Sequence, residues 1–198
     1  QKDNLVRTGN WNERTNFMGI GMSRKTLGVI GAGNIGAETI KLSKPFFNEI
    51  LAYDPFKSQN QLSQFGAIKV DLFDLANKSD FIVVLCNLDK NTEGLINADF
   101  FSLMKKSAYF FNLSRGPVID ERHLENAIQS KKIAGSGLDV TEIEPLSPKS
   151  KLLKFENVII TPHALCWTDE CFNDIATEAI TSILNFIDKK PIFNQVNK

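Results

Sequence analysis

The sequence contains little cysteine and histidine, and it has no long apolar run. Three Cys among 198 residues, none in a CxxC pair, argue against a disulfide framework and favour a reducing compartment. We therefore expect a cytoplasmic protein. No apolar run reaches the roughly 18 residues of a membrane span, and no signal peptide is visible. These absences speak against a membrane protein and against a disulfide-rich secreted domain.

The chain also lacks a net charge of either sign. Lys and Arg together number 23, and so do Asp and Glu. This balance creates no overall field that would draw the chain to nucleic acid or anionic lipid. We expect neither nucleic acid nor a membrane as a partner.

Short apolar segments alternate with amphipathic ones from residue 25 onward. The predicted strands are 25–31, 49–54, 67–70, 80–87, 107–114, 133–140 and 157–163. The predicted helices are 34–44 (stopped by Pro45), 58–65, 71–79 with Asp71 as its cap, 96–104, 120–130 with Leu124, Ala127 and Ile128 inward, and 169–190. This alternation predicts an α/β fold with a Rossmann-type, doubly wound parallel sheet covered on both faces. Residues 144–154 are predicted to be a surface loop.

Three regions are expected along the chain. Residues 1–24 lack the alternating pattern and form a lead-in or interdomain segment, with Trp11, Phe17, Met18, Ile20 and Met22 as scattered apolar anchors. Residues 25–168 form the nucleotide-binding domain, and residues 169–198 form a C-terminal helix and tail. Because the chain opens with Gln, we expect it to begin inside a longer gene product.

A glycine-rich turn predicts a dinucleotide site. Gly31, Gly33 and Gly36 form GxGxxG directly after a strand and at the start of a helix. The pattern allows a tight turn, a close approach of the backbone to a pyrophosphate, and close helix packing, and the N–H groups near Asn34 and Ile35 then face the phosphates. Asp54 ends the next strand, where a carboxylate accepts hydrogen bonds from ribose hydroxyls and repels a 2′-phosphate, so NAD is favoured over NADP.

The ends of the later strands carry further polar residues. Arg115 follows one strand and can grip a carboxylate with two parallel hydrogen bonds, although a structural salt bridge is the alternative. Asp139 lies in the predicted strand 133–140 and Glu144 lies just before Pro145, and each is either a site residue or an ordinary loop acid. His163 follows "NVIITP" and is a proton carrier, a turn residue, or a metal ligand with Cys166 and Cys171. The cysteine spacing matches no familiar zinc pattern, so we predict no metal.

Taken together, these segments resemble the NAD-dependent D-isomer-specific 2-hydroxyacid dehydrogenases, of the phosphoglycerate or hydroxypyruvate dehydrogenase kind. The resemblance runs from about Trp11 to Asn197. It rests on "KTLGVIGAGNIG", "AYDP", "NTEGLIN", "FNLSRGPVIDE", "AGSGLDVTEIEP" and "NVIITPH" in this order.

The resemblance implies a role for each site residue. Arg115 would bind the carboxylate of a small 2-hydroxy or 2-keto acid, His163 would exchange a proton with the substrate oxygen, and Glu144 would hold and charge His163. Hydride would pass between the nicotinamide C4 and the substrate C2. The implied NAD contacts are Gly31, Gly33, Asn34, Ile35, Gly36, Asp54, Cys86, Asn87, Leu113, Arg115, Asp139 and His163.

The sequence departs from the family pattern in two places. The family often has His-x-Pro-x-Thr where this chain has Leu85–Asp89, and Trp167 follows His163 in an uncommon context that could shape a substrate pocket. The family's N-terminal substrate domain is missing from the sequence, so we expect a fragment that turns over poorly alone. The resemblance also implies a homodimer formed through the cofactor domains.

Two other functions stay open at this stage. An NAD-sensing binding module, like the family's corepressor relatives, would retain the same catalytic residues. A different Rossmann enzyme, such as a methyltransferase, would also use Asp54, but it would have no use for "LSRGPVID" and "TPH".

Overall fold

The structure is a computed structural model that describes residues 2–192 and residue 195. The chain divides into two compact units, Gln1–Ile160 and Thr161–Lys198. The predicted boundary after residue 168 stays a prediction, and part of the predicted tail (193, 194 and 196–198) lies outside the described residues. None of the described helices combines the length and the apolar character that crossing a membrane requires.

The first unit is built on one seven-stranded parallel sheet. Its strands are β1 (Thr26–Ile30), β2 (Glu49–Tyr53), β3 (Ile68–Lys69), β4 (Phe81–Val84), β5 (Tyr109–Asn112), β6 (Gly135–Leu138) and β7 (Val158–Ile160). Their order across the sheet is β3-β2-β1-β4-β5-β6-β7. Strands β2 and β3 therefore lie on one side of β1, and β4 to β7 lie on its other side. This is the doubly wound topology that the sequence predicts.

Helices cover both faces of this sheet. The helices of the first unit are α1 (Lys2–Arg7), α2 (Asn34–Ser43), α3 (Gln59–Phe65), α4 (Leu72–Lys78), α5 (Ala98–Leu103) and α6 (Glu121–Gln129), with short 3-10 helices at Trp11–Phe17, Gly116–Val118 and Lys151–Lys154. One core contains α4, α5 and α6 and is centred on residues such as Ile82 and Phe110. The other core contains α2 and α3 and is centred on residues such as Val29 and Ile40. Alternate side chains of the central strands supply the two cores, as expected for strands that are buried on both faces.

Several sequence expectations hold in detail and others are corrected. Leu124, Ala127 and Ile128 are the buried residues of α6, as predicted. Asp71 occupies the N-cap position of α4, but its side chain makes no capping hydrogen bond. Residues 144–154 are not loop throughout, because a 3-10 turn at the end of this segment buries Leu152.

The second unit consists of a turn followed by one long helix, α7 (Asp169–Ile187). The Thr168 hydroxyl caps α7 by accepting the Cys171 N–H at 3.1 Å. The rings of Trp167 and Phe172 pack edge to face, with their centroids 5.9 Å apart. Along α7, Ile175, Ile180 and Ile183 are among the exposed apolar side chains.

Candidate active site

The turn between β1 and α2 requires glycine at two of its three positions. Gly31 has φ +89°, and a Cβ there would lie 2.6 Å from the backbone of Cys86. A Cβ on Gly36 would lie 2.0 Å from the carbonyl oxygen of Gly31. At Gly33, in contrast, a Cβ would meet no atom within 4 Å. Gly31 and Gly36 are therefore needed for the turn itself, whereas Gly33 borders open space where a ligand can approach the backbone.

Asp54 ties the end of β2 to this turn. Its Oδ2 accepts the Ala32 N–H at 2.8 Å, and its Oδ1 accepts the Phe56 N–H at 2.9 Å. The residue is buried. Each carboxylate oxygen has a further lone pair, so Asp54 can hold the two loops together and still accept a hydroxyl donor from a ligand.

A crevice opens at the carboxyl edge of the sheet, between the loops that follow β1 and β4. Its main cavity has a volume of about 560 Å³. The lining residues are Ile30, Gly31, Gly33, Tyr53–Lys57, Leu85–Asn87, Asp89, Asn91, Thr92 and Leu95. A second cavity of about 450 Å³ shares Leu85, Cys86 and Asn87 and continues to Leu113 and Arg115. The crevice lies where the strand order reverses, which is the usual ligand position in a doubly wound sheet.

The segment Leu85–Asp89, which departs from the family pattern, follows β4 and contributes Leu85, Cys86 and Asn87 to both cavities. The Thr92 hydroxyl donates to the Asn87 carbonyl at 2.7 Å and accepts the Asp89 N–H at 2.8 Å. Burial raises the pKa of the Cys86 thiol to about 11, and the nearby carboxylates of Asp89 and Asp54 also raise it. A thiol with a raised pKa is a poor nucleophile, and Cys86 contributes to the lining of both cavities.

A buried amide shapes the turn that carries Arg115. The Asn112 side chain is fully buried at the end of β5. Its Oδ1 accepts the Ser114 N–H at 3.1 Å and the Ser114 hydroxyl at 3.0 Å, and its Nδ2 donates to the Arg115 carbonyl at 3.0 Å. The Arg115 guanidinium donates to the Ser114 carbonyl at 2.7 Å. Asn112 therefore fixes the backbone from which the guanidinium extends.

The loop after β6 packs directly on this turn. A Cβ on Gly116 would lie 1.8 Å from the Thr141 carbonyl oxygen, so only a hydrogen atom fits between the two segments. Within the loop, the Glu144 Oε1 accepts the Thr141 N–H at 3.1 Å, and the peptide bond from Glu144 to Pro145 is cis. The segments that carry Arg115 and Glu144 are thus in contact.

His163 belongs to the second unit, in the turn that precedes α7. It is exposed and adopts a left-handed conformation, with φ 52°, and its N–H donates to the Thr161 carbonyl at 3.0 Å. Non-glycine residues with positive φ are uncommon, and His is among the more tolerant of them. Cys166 and Cys171 are both free thiols. Across the described residues, no three His, Cys, Asp or Glu side chains are grouped to hold a metal ion.

Eight of the predicted site residues line the two cavities of the crevice. Gly31, Gly33, Asp54, Cys86 and Asn87 line the main cavity, and Ile35, Leu113 and Arg115 line the second. Asn34 begins α2, Gly36 supports the turn, and Asp139 and Glu144 follow β6. Their contacts with NAD and substrate stay predictions.

Sequence reasoning missed four residues of this region, namely Phe56, Asn112, Gly116 and Glu121. Asn112 and Gly116 flank Arg115 in "NLSRG", so a search for residues that shape the Arg115 turn could have found them. Glu121 gave no such signal, because its contact is with the Glu142 N–H, 21 residues away. Phe56 follows "YDP", but nothing in its type marked it as part of the cavity wall.

Comparison with known proteins decides the family. The family described as D-isomer specific 2-hydroxyacid dehydrogenase, NAD binding domain, matches residues 1–164. The chain belongs to this family. The resemblance, the fold class and NAD as the cofactor are thereby confirmed for this NAD-binding domain.

Individual relatives of this NAD-binding domain are longer than the chain. D-3-phosphoglycerate dehydrogenase of Archaeoglobus fulgidus is 41% identical over 197 residues, which cover 100% of this chain and 37% of that protein. Human glyoxylate reductase/hydroxypyruvate reductase is 37% identical over 190 residues, which cover 94% of this chain and 58% of that protein. The holo form of D-mandelate dehydrogenase from Rhodotorula graminis superimposes with a TM-score of 0.88 at 29% identity, covering 100% of this chain and 60% of that one.

Proposed function

We propose that the chain is the cofactor-binding part of a dehydrogenase that transfers hydride between NAD(H) and a small D-2-hydroxy or 2-keto acid, of the phosphoglycerate or hydroxypyruvate kind. One observation carries the proposal: the Arg115 turn and the Glu144 loop contact each other at the edge of the sheet that holds the nucleotide crevice. A carboxylate-binding cation and an acid that can support a proton carrier then stand next to the cofactor.

Each residue of the proposed catalytic set has a distinct task. Arg115 binds the substrate carboxylate and polarises its carbonyl, because a guanidinium offers paired donors. His163 moves a proton to or from the substrate oxygen, and Glu144 is the carboxylate that supports His163 in this task. NAD supplies the hydride chemistry when it is bound. Gly33, Asn34 and Ile35 bind the pyrophosphate, and Asp54 binds the ribose.

We expect that turnover also requires a substrate domain outside these 198 residues. The relatives extend well beyond the region that this chain matches. A second domain that closes over the nicotinamide would exclude water and hold the reacting atoms in register.

The first experiment is a calorimetric titration of the chain with NADH and with NADPH. We expect NADH to bind more tightly than NADPH, because a 2′-phosphate would meet the Asp54 carboxylate. A screen of 2-keto acids with the full-length protein follows, with NADH oxidation as the readout. NADH binding without turnover on any 2-keto acid would favour an NAD-sensing binding module, and equal affinity for both nucleotides would contradict the proposed role of Asp54.

We further propose a cytoplasmic homodimer. Trp11 and Met18 are 61% and 80% exposed in the lead-in segment, which suits a segment that packs on a second copy. The Phe17 side chain lies outside the described part of the chain. The three free thiols agree with a reducing compartment. Light scattering at micromolar concentration tests the dimer, and a monomer there would contradict it.

A further inference from the structure

The loop that carries Glu144 is anchored to a helix as well as to the Arg115 turn. Glu121, the first residue of α6, accepts the Glu142 N–H at its Oε2 with a distance of 2.9 Å. Glu142 lies two residues before Glu144 on the same loop. A side chain 21 residues away in sequence therefore holds the backbone that presents Glu144.

Two hydrogen bonds inside this loop have a different effect. The Thr141 hydroxyl donates to the Ile143 carbonyl at 3.0 Å, and the Thr141 N–H donates to Glu144. Both bonds join residues of the loop to each other, so they fix its shape and not its position. The bond from Glu142 to Glu121 joins the loop to α6, which packs in the core through Leu124.

We propose that Glu121 is a positioning residue for catalysis, because its carboxylate holds the Glu144 loop at the correct distance from the Arg115 turn. The inference rests on the proposed function, in which Arg115 and Glu144 act on the same substrate. The Gly116 contact sets how closely the two segments can approach, and Glu121 supplies the attraction that keeps them there. Shifts of about 1 Å in such a site cost up to 10²-fold in rate.

The surroundings of Glu121 disfavour the charged form of its carboxylate. Burial raises its pKa, and the carboxylates of Glu142 and Glu125 raise it further, while the Glu142 N–H lowers it. A glutamine carries no charge and would still offer a carbonyl oxygen to the same N–H. The contact itself, and not the charge, is therefore the feature that a variant must preserve.

Three variants of the full-length protein test the proposal. Glu121→Ala removes the acceptor, and Glu121→Gln retains one. Glu125→Ala is the matched control, because Glu125 lies one turn further along α6, is also half-buried, and pairs with Lys151 at 3.7 Å. Urea unfolding confirms that each variant is folded.

Hydrogen exchange of the Glu142 amide tests the anchor independently of activity. We expect at least a tenfold faster exchange in Glu121→Ala, since a hydrogen bond to a charged group is lost. Exchange in Glu121→Gln and in Glu125→Ala should stay within about threefold of wild type. Unchanged exchange in Glu121→Ala, or the same acceleration in Glu125→Ala, would overturn the proposal.

Steady-state kinetics on a 2-keto acid test the catalytic consequence. We expect kcat to fall about tenfold in Glu121→Ala, KM for NADH to stay within about twofold, and Glu121→Gln to recover most of kcat. An unchanged kcat alongside faster exchange would overturn the positioning role. If the wild-type protein reduces no 2-keto acid, the proposed function fails, and the exchange comparison alone decides whether Glu121 holds the loop.

Discussion

Asp54 and Asp80 are both buried, yet they lie at opposite edges of the sheet and have different surroundings. Asp54 follows β2 at the carboxyl edge and accepts two backbone N–H groups. Asp80 precedes β4 at the amino edge, accepts the Thr26 N–H at 3.0 Å, and lies 3.5 Å from Lys25 Nζ and 3.3 Å from Lys105 Nζ. In the part of the chain that the structure describes, no ion pair involves Asp54.

The difference separates a structural carboxylate from one that can serve a ligand. Burial acts to raise the pKa of Asp80, but the Thr26 N–H and the two lysines outweigh it and hold the pKa below its usual value. The charge of Asp80 thus interacts with groups of the protein itself, namely the Thr26 N–H and the two lysines. Asp54 lines the crevice, and each of its carboxylate oxygens has a further lone pair that a ligand hydroxyl can reach.

The largest expected effect concerns the turn that supplies the Ala32 N–H to Asp54. Gly36→Ala would press a Cβ against the Gly31 carbonyl, so we expect a loss of about 3 kcal/mol of stability in urea unfolding. Gly33→Ala meets open space and should unfold within about 0.5 kcal/mol of wild type. Gly33→Ala should nevertheless weaken NADH binding at least tenfold, because the methyl group fills the approach to the backbone. Normal NADH binding by Gly33→Ala would refute the assigned pyrophosphate position.

A direct test of the comparison exchanges each aspartate for asparagine. Asp54→Asn should weaken NADH binding by about 10–100-fold, because a hydrogen bond to a charged acceptor is lost. Its preference for NADH over NADPH should also narrow. Asp80→Asn should leave NADH affinity within about twofold of wild type. The NADH affinities of both folded variants are measured by calorimetry. Equal losses of affinity would mean that Asp54 at the carboxyl edge and Asp80 at the amino edge do not differ in their role in NADH binding.

The contribution of the Asp80 charge to the free energy of unfolding should depend on pH. Its pKa is lowered in the folded state, so its charge stabilises the fold above the unfolded pKa of about 3.9, and this contribution is lost as pH falls through the folded pKa. We expect Asp80→Asn to lower the free energy of unfolding by about 2 kcal/mol at pH 7. The difference in unfolding free energy between wild type and Asp80→Asn should become smaller below pH 4, as measured by urea titrations. A difference in unfolding free energy that stays constant from pH 7 to below pH 4 would mean that the charge of Asp80 does not stabilise the fold.

The smallest expected effect belongs to the lysines around Asp80. The Lys105 side chain is 37% exposed, so solvent screens its pairing with Asp80. Lys105→Gln should cost about 0.5 kcal/mol in low salt and less in 1 M NaCl. A loss as large as that of Asp80→Asn would show that Lys105, and not the Thr26 hydrogen bond, dominates the amino edge.

Sequence patterns predicted the order of elements better than their ends. The apolar segment 80–87 predicts a strand through Asn87, yet β4 ends at Val84. Leu85 and Cys86 continue the apolar pattern because they line the ligand crevice. Composition alone cannot distinguish a side chain that faces a core from one that faces a cavity.

The sequence by itself determined the parallel sheet, the glycine turn and the residue types at the strand ends, because hydrophobic periodicity and backbone conformation are local properties. The family resemblance, and not the residue pattern alone, implied that Arg115 and Glu144 act in one catalytic set. Only the tertiary structure decided that Asn112 shapes the Arg115 turn, that Gly116 admits the Glu144 loop, and that Glu121 anchors it. Two of these contacts join segments about 20 residues or more apart in sequence, and such contacts exist only once the sheet and its helices have brought the segments together.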